Sequence, residues 1–356
     1  MVRTPRQVPD RKAENHAPAT VAAGFVSGLL SALPERGFDP AHVLMEAGLD
    51  PDVLTVAGRR VLLTDYALLY NQVVALLRDE GFGLFSVKLN PGTFEFLCRS
   101  MIGGRTLAEA LAHAGHFLRL VLPDLNLTCA IDDTSARIEI REERPIGGGP
   151  ADPRRVFAFE WLLRLVHSLA CWLVGRGLSL DSVQFPYPRP PQASDYALIY
   201  TEHATFSGDR LVARLRPNLF ALPIRRDQDD LARFLDGAPG KITMLYRRDR
   251  EMVRQIRDLL ASSMPEALSI EDIARRLHLS LRTVQRRLKE EGSSYRAIKS
   301  ALRRDIALSR IEKSKKSVAE IAGELGYAET SAFFRAFVDW TGETPTSYRK
   351  RVRALS

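Results

Sequence analysis

The residues from Ser269 to Leu277, Ser-Ile-Glu-Asp-Ile-Ala-Arg-Arg-Leu, return 48 positions later, from Ser317 to Leu325, as Ser-Val-Ala-Glu-Ile-Ala-Gly-Glu-Leu. Both copies open on Ser, place an acid three residues on, and follow with Ile-Ala and Leu at inward spacing, the pattern of a capping box leading an amphipathic helix. A three-residue break follows each copy, His278-Leu279-Ser280 or Gly326-Tyr327-Ala328, and a second helical run begins beyond it. The chain therefore carries two helix-turn-helix units.

In the first unit the second helix runs Leu281-Arg282-Thr283-Val284-Gln285-Arg286-Arg287-Leu288-Lys289. Val284 and Leu288, one turn apart, pack back on Ile273 and Leu277. Arg282, Gln285, Arg286 and Lys289 then share the outward face, and Thr283 joins them in the contact set. Arg matches guanine O6 and N7, Gln matches adenine N6 and N7, and Lys meets phosphate, so this face suits a helix lying in a major groove. A lone face of this kind is ordinarily a solvated surface, but duplication of the whole unit argues for DNA. In the second unit the register slips one residue at the turn, which sends Phe333 and Phe337 inward and leaves Thr330, Ser331 and Arg335 outward. Phe334 stands where Gln285 stands in the first unit, either as a contact to a thymine methyl or sugar or as extra core. With one cation, the second helix is the weaker reader.

Between the units, Ile298, Leu302 and Ile306 repeat at i, i+4 and i+8 within Ser294 to Lys313. A helix of about 20 residues is about 30 Å long, enough to hold two reading helices about 34 Å apart, one turn of B-DNA. Glu251 to Ser356 resembles the DNA-binding domain of the AraC/XylS family of bacterial transcription regulators. The residues that carry the likeness are Ile273-Ala274, Leu279-Ser280, Gln285-Arg286, the linker helix, Ile321-Ala322, Leu325-Gly326-Tyr327, Phe333, Arg335, Phe337, and Gly342-Glu343-Thr344-Pro345 ahead of Tyr348-Arg349. The resemblance implies an all-α domain of two helix-turn-helix units joined by a long linker helix. It also puts Arg282, Gln285 and Arg286, then Thr330, Ser331 and Arg335, at base-reading positions. One position departs from the family: it commonly has a small hydroxyl residue where this chain has Phe334.

Charge follows the same division. From Glu251 onward 21 Lys and Arg face 14 Asp and Glu, a net of +7, so nearly all of the chain's +8 lies in its last third. A basic domain condenses on polyphosphate, and its affinity falls steeply with salt. The basic residues are spread over several helices with no lipidation signal, which argues against a membrane surface. Three widely spaced cysteines, Cys98, Cys129 and Cys171, fit a reducing cytosol. His113 and His116 share a helix face but have no third ligand in sight, and no metal or cofactor is expected.

At 356 residues the chain is long enough for two or three domains. Residues 1–20 read as a disordered tail, 21–225 as an α+β effector-binding and dimerisation domain, 226–250 as a linker, and 251–356 as the DNA-binding domain. Val21 to Leu33 is an apolar run behind a basic start but ends without a convincing cleavage site for export. Helices are expected over Asp39 to Leu54, over Thr64 to Arg78 with an apolar face of Leu68, Leu69, Val73, Leu76 and Leu77, and over Thr106 to Val121 behind a Thr106 cap. From Leu125 the period changes to two, giving a hairpin through Asp132-Asp133-Thr134. Gly147-Gly148-Gly149-Pro150 is a plain linker, since no Lys-Ser/Thr follows. Arg154 to Val174 is nearly long enough to span a bilayer, yet Glu160, Arg164 and His167 place a polar stripe on it, so it reads as a central core helix. Ser182 to Tyr187 and Leu211 to Leu215 read as strands, and Ile242 to Leu260 as a long connecting helix.

This front region is similar to the arabinose-binding-like effector domain of one branch of the same family, on Gly81-Phe82-Gly83-Leu84, Thr106-Leu107-x-Glu109-Ala110-Leu111 and the hairpin that follows. The likeness implies a cytoplasmic transcriptional regulator, an activator, with double-stranded DNA, a small-molecule effector, a second copy of the chain and RNA polymerase as partners. Two other classes compete. One is a ligand-independent DNA-binding protein; the other is a DNA-targeted enzyme that accepts an alkyl group on Cys98, for which no activating His stands nearby in sequence. Phe94, Phe96, Phe117 and Trp161 are candidates to line a pocket, with core packing as the simpler role.

Overall fold

A computed structural model describes residues 20–56, 58–132, 134–236, 240, 251–266, 268–291, 293–314 and 316–354. Residues 1–19 of the expected tail, and residues 237–239 and 241–250 of the expected linker, lie outside them. Strand β1 (Thr20–Ala22) leads into α1 (Ala23–Leu30) and α2 (Pro40–Glu46), and pairs antiparallel with β2 (Arg60–Leu62). Helices α3 (Leu63–Leu77), α4 (Thr93–Ile102) and α5 (Leu107–Val121) follow. Then comes the hairpin of β3 (Leu125–Ile131) and β4 (Ala136–Glu142), with Leu125 opposite Glu142 and Ile131 opposite Ala136. Beyond α6 (Pro153–Val174) lie β5 (Ser182–Gln184), α7 (Tyr196–Ile199), β6 (Ala204–Thr205), β7 (Leu211–Leu215) and α8 (Gln228–Leu235). The sheet order is β3-β4-β7-β5-β6, antiparallel except between β5 and β6. The α+β architecture expected for this half is therefore present.

α6 is the axis of the first core. It is long and apolar enough to cross a membrane, but almost all of it is buried among the surrounding helices and sheet, as its polar stripe implied. Thr106 caps α5 by accepting from the Glu109 amide, as its sequence promised. Three expectations need correction. The single helix over Asp39 to Leu54 is two pieces, because Gly48 turns the chain at φ +73° and Pro51 starts a separate short 3-10 turn. The buried face of α3 is Tyr66, Leu69, Tyr70 and Val73, while Leu68 is 65% exposed. The tyrosines supply the inward positions, and an apolar-only count overlooked them. The strand at Ser182 closes by Gln184, before the prolines.

The basic half is all helical: α9 (Glu251–Ser263), α10 (Ile270–Arg276), α11 (Leu281–Glu290), α12 (Tyr295–Lys313), α13 (Val318–Glu324), α14 (Thr330–Thr341) and α15 (Pro345–Ala354). Only the part of the expected connecting helix from Glu251 onward falls within the described residues. Both capping boxes are complete: Ser269 and Asp272 exchange backbone bonds, as do Ser317 and Glu320. The two turns match atom for atom, with the Leu279 amide donating to Ala274 O at 2.9 Å and the Tyr327 amide to Ala322 O at 3.0 Å. Each turn needs a left-handed residue, His278 at φ +54° in the first and Gly326 at φ +71° in the second. An L-residue with a Cβ pays about 1–2 kcal/mol there that glycine does not. Gly326→Ala should therefore lower stability by about 1–2 kcal/mol, while His278→Gly should leave it unchanged or higher; urea unfolding of the two variants checks the asymmetry.

Candidate nucleic-acid interface

Each reading helix is seated by a small core of its own. Ile273, Val284 and Leu288 are buried with Met252, Ile256 and Leu260 of α9 and with Ile298 and Leu302 of α12. Ile321, Leu325, Phe333 and Phe337 are buried with Ala307 and Ile311 of α12 and with Tyr348 of α15. Successive turns of one helix thus carry both units, and its 19 residues give a rod of about 28 Å.

With Val284 and Leu288 turned inward, Arg282, Gln285, Arg286 and Lys289 lie exposed on α11. Thr283 is half-buried and belongs to the cap: its amide donates to Ser280 Oγ at 3.1 Å, and the two hydroxyls lie 2.8 Å apart. On α14, Ser331 and Arg335 are exposed and Thr330 is half-buried, while the Ser331 hydroxyl donates to Glu329 at 3.1 Å. Phe334 is half-buried beside the fully buried Phe333 and Phe337.

Sequence reasoning missed how firmly this region is tied to the front of the chain. Val56 joins the core beneath α14. The Ser179 hydroxyl donates to the Lys289 carbonyl at the end of α11, and the Ser294 hydroxyl, at the start of α12, donates to Glu202 at 2.6 Å. At the middle of α12 the two regions share a buried ion cluster. Asp195 takes Arg304 at 2.6 Å and Arg60 at 3.0 Å, and Asp305 takes Arg257 at 2.8 Å and Arg60 at 3.3 Å. Burial opposes ionisation of Asp195, but Arg304 and Arg60 outweigh it and hold the carboxyl down at about 2; Asp305 is lowered in the same way. In the sequence Arg304 is one of several cations between Ser294 and Lys313, and nothing local marks Asp195 as its partner.

The other chemical candidates are accounted for by their surroundings. The Cys98 thiol is buried, and desolvation raises its pKa far above the ordinary range, the opposite of an activated nucleophile. His113 Nδ1 lies 2.9 Å from the Ser100 carbonyl, and His116 is exposed. Phe94 and Trp161 are buried against core rings and line one small cavity together, whereas Phe117 is half-buried and Phe96 is 64% exposed, and neither joins them there.

The profile of the arabinose-binding domain of AraC transcription regulators matches residues 37–224, more than half of the chain, and a helix-turn-helix domain profile matches residues 273–351. The chain belongs to the AraC family of transcription regulators. It pairs an N-terminal effector-binding domain with a helix-turn-helix DNA-binding domain. It is 26% identical over 337 residues to the ornithine utilization regulator of Pseudomonas aeruginosa, covering 94% of this chain and 98% of that protein. It is 38% identical over 98 residues to VqsM of the same organism, covering 27% of this chain and 30% of that one. Among solved structures, the regulator CdpR of P. aeruginosa aligns at 20% identity over 91% of this chain and 96% of its own, with a TM-score of 0.31. The ornithine utilization regulator and VqsM are transcription regulators by name.

The ion cluster has a testable acid limb. The depressed pKa of Asp195 contributes stability that is complete above its unfolded value of about 4 and is lost as pH falls through about 2. Docking of the two regions should therefore hold at neutral pH and open progressively below pH about 4, read as a rise in radius of gyration by small-angle scattering. Arg304→Ala leaves Asp195 with Arg60 as its remaining cation and removes a pair that crosses between the two regions, so it should weaken docking by about 1–3 kcal/mol at pH 7 and move the opening to higher pH.

Proposed function

We propose that this AraC-family regulator reads DNA with two unequal helices. Arg282, Gln285 and Arg286 contact base edges in one major groove, with Thr283 fixing the start of that helix and Lys289 on phosphate. Thr330, Ser331 and Arg335 take the next groove, with Phe334 against a thymine methyl or a sugar. The observation that carries this reading is the repeated, doubly capped helix pair whose outward faces stay exposed while the rest of each unit is packed. The chain acts in the cytoplasm as an activator, as a homodimer on a repeated site, in contact with RNA polymerase, and without enzymatic activity. Its working divisions are 21–225 for sensing and dimerisation, 226–250 for connection and 251–356 for DNA.

A small organic effector bound by the sensing region sets the activity by favouring one arrangement of the two regions, which requires a few kcal/mol of differential affinity. The relative named for ornithine utilisation directs the effector search to amino acids and their amines. A ligand-independent binder would lack any such response.

Selection of sites from a random DNA pool, followed by fluorescence anisotropy, tests the reading. Arg282→Ala and Arg286→Ala should each cost about 1–3 kcal/mol and relax selectivity at one base pair. Lys289→Ala should weaken all sequences alike and flatten the dependence on salt by about one phosphate. A base-specific loss at Lys289, or uniform losses at both arginines, would overturn the assignment.

A further inference from the structure

The polar stripe on α6 has three neighbouring turns that each end in a bare atom. Glu160 Oε2, Arg164 Nη2 and Ser168 Oγ are buried and have no hydrogen-bond partner among the described residues. They stand at i, i+4 and i+8, so they form one row about 12 Å long by helix rise. Glu160 and Ser168 are each 1% exposed. Buried polar groups are nearly always satisfied in native proteins, and three orphans in line on the central helix of a sensing domain call for a ligand.

The chemistry of the row is that of a split ion pair. Glu160 uses its other oxygen to accept from Gln192 at 2.9 Å and from the Tyr196 hydroxyl. Arg164 lies under the Phe25 ring, 4.8 Å from its centroid, and bonds the Tyr200 hydroxyl. An acid and a base one turn apart on a helix ordinarily pair with each other, and here each keeps an atom unused. Burial pushes the Glu160 carboxyl up to about 7, against the pull of Tyr196, Gln192 and Arg164, so no donor yet holds it fully ionised. Along α6 from Val156 to Val174 every other residue is buried, while Arg164 is half-buried.

We propose that Glu160, Arg164 and Ser168 bind an amino-acid zwitterion, its ammonium on the bare Glu160 oxygen and its carboxylate on Arg164, and that residues 192–196 pass this occupancy to the DNA-binding region. The route is short. Gln192 and Tyr196, which hold Glu160, flank Asp195, which holds Arg304 of α12. Competition for the Glu160 carboxylate acts on a segment wedged between the ligand row and the linker of the two reading helices. The assignment rests on the effector reading above and narrows it to one site and one class of ligand.

Thermal unfolding of the full chain is followed with millimolar L-ornithine, 5-aminovalerate, putrescine or valerate. Ornithine or 5-aminovalerate, which carry both charges, should raise Tm by at least about 2 °C, and putrescine and valerate, with one kind of charge each, should not. Glu160→Gln, an isostere that removes a buried charge and keeps the fold, should abolish the rise, as should Arg164→Gln. No rise with either amino acid, or an undiminished rise in Glu160→Gln, overturns the site. For the relay, ligand should change the affinity of the full chain for its selected DNA at least about fivefold. In Arg304→Gln the Tm rise should persist while that change falls below about twofold; a change that persists in Arg304→Gln overturns the route. Loss of sequence-specific DNA binding would remove the function proposed above yet leave the melting result readable, and a flat melting result with intact DNA binding removes this site alone.

Discussion

Five charged side chains from two regions meet in the interior at the middle of α12, and the arrangement of the molecule depends on them. Buried charges are costly unless each is paired, and removing one partner is worse than never having buried the pair. Asp195 and Asp305 alternate with Arg60 and Arg304, and Arg257 closes the row, so separating the regions breaks the Arg304–Asp195 and Arg60–Asp305 pairs and leaves each region with one pair of its own. Such a joint is specific rather than strong. It allows a small change in one partner to decide whether the two halves remain together, which an apolar joint of the same area would resist.

The same contact fixes what the reading helices can do. α12 carries the first unit on Ile298 and Leu302 and the second on Ala307 and Ile311, with Arg304 and Asp305 between the two sets. The sensing region grips the rod at its middle, reaches the end of α11 through Ser179, and places Val56 beneath α14. Both helix-turn-helix units are thus referenced to one outside body as well as to each other. A displacement of that body relative to α12 changes the presentation of two grooves' worth of contacts at once. Sequence-specific affinity is sensitive to this, because base-edge hydrogen bonds tolerate little misplacement whereas phosphate contacts tolerate more.

Local pattern made much of this legible. Ser269 and Ser317 with their acids gave both helix starts, the inward stripes gave both cores, and the slip of one residue at the second turn correctly sent Phe333 and Phe337 inside. The hairpin at Leu125 and the cap at Thr106 were equally plain. What escaped had no short-range signature. Leu68 looks like a core residue until the tyrosines of the same helix are seen to fill the face. Asp195 sits 109 positions from Arg304 by number alone, and no periodicity links an ion pair across domains. The stripe of Glu160 and Arg164 was visible, but that it holds unused hydrogen-bonding capacity is a property of the packing around it.

On the proposed reading, the two helices are unequal in the side chains they present. α11 presents Arg, Gln, Arg and Lys, all suited to acceptors on bases or phosphates, whereas α14 offers one Arg and a Ser already engaged with Glu329. If the proposed base contacts hold, discrimination of about 1–3 kcal/mol per good bidentate contact concentrates on the first unit. The second unit, with Phe334 half-buried at its surface, would then gain from shape and apolar contact, terms that add affinity with little sequence information. A site read this way has one demanding half and one permissive half, and the permissive half is where a change in the angle of α12 would be felt first, since it has fewest directional contacts to resist it.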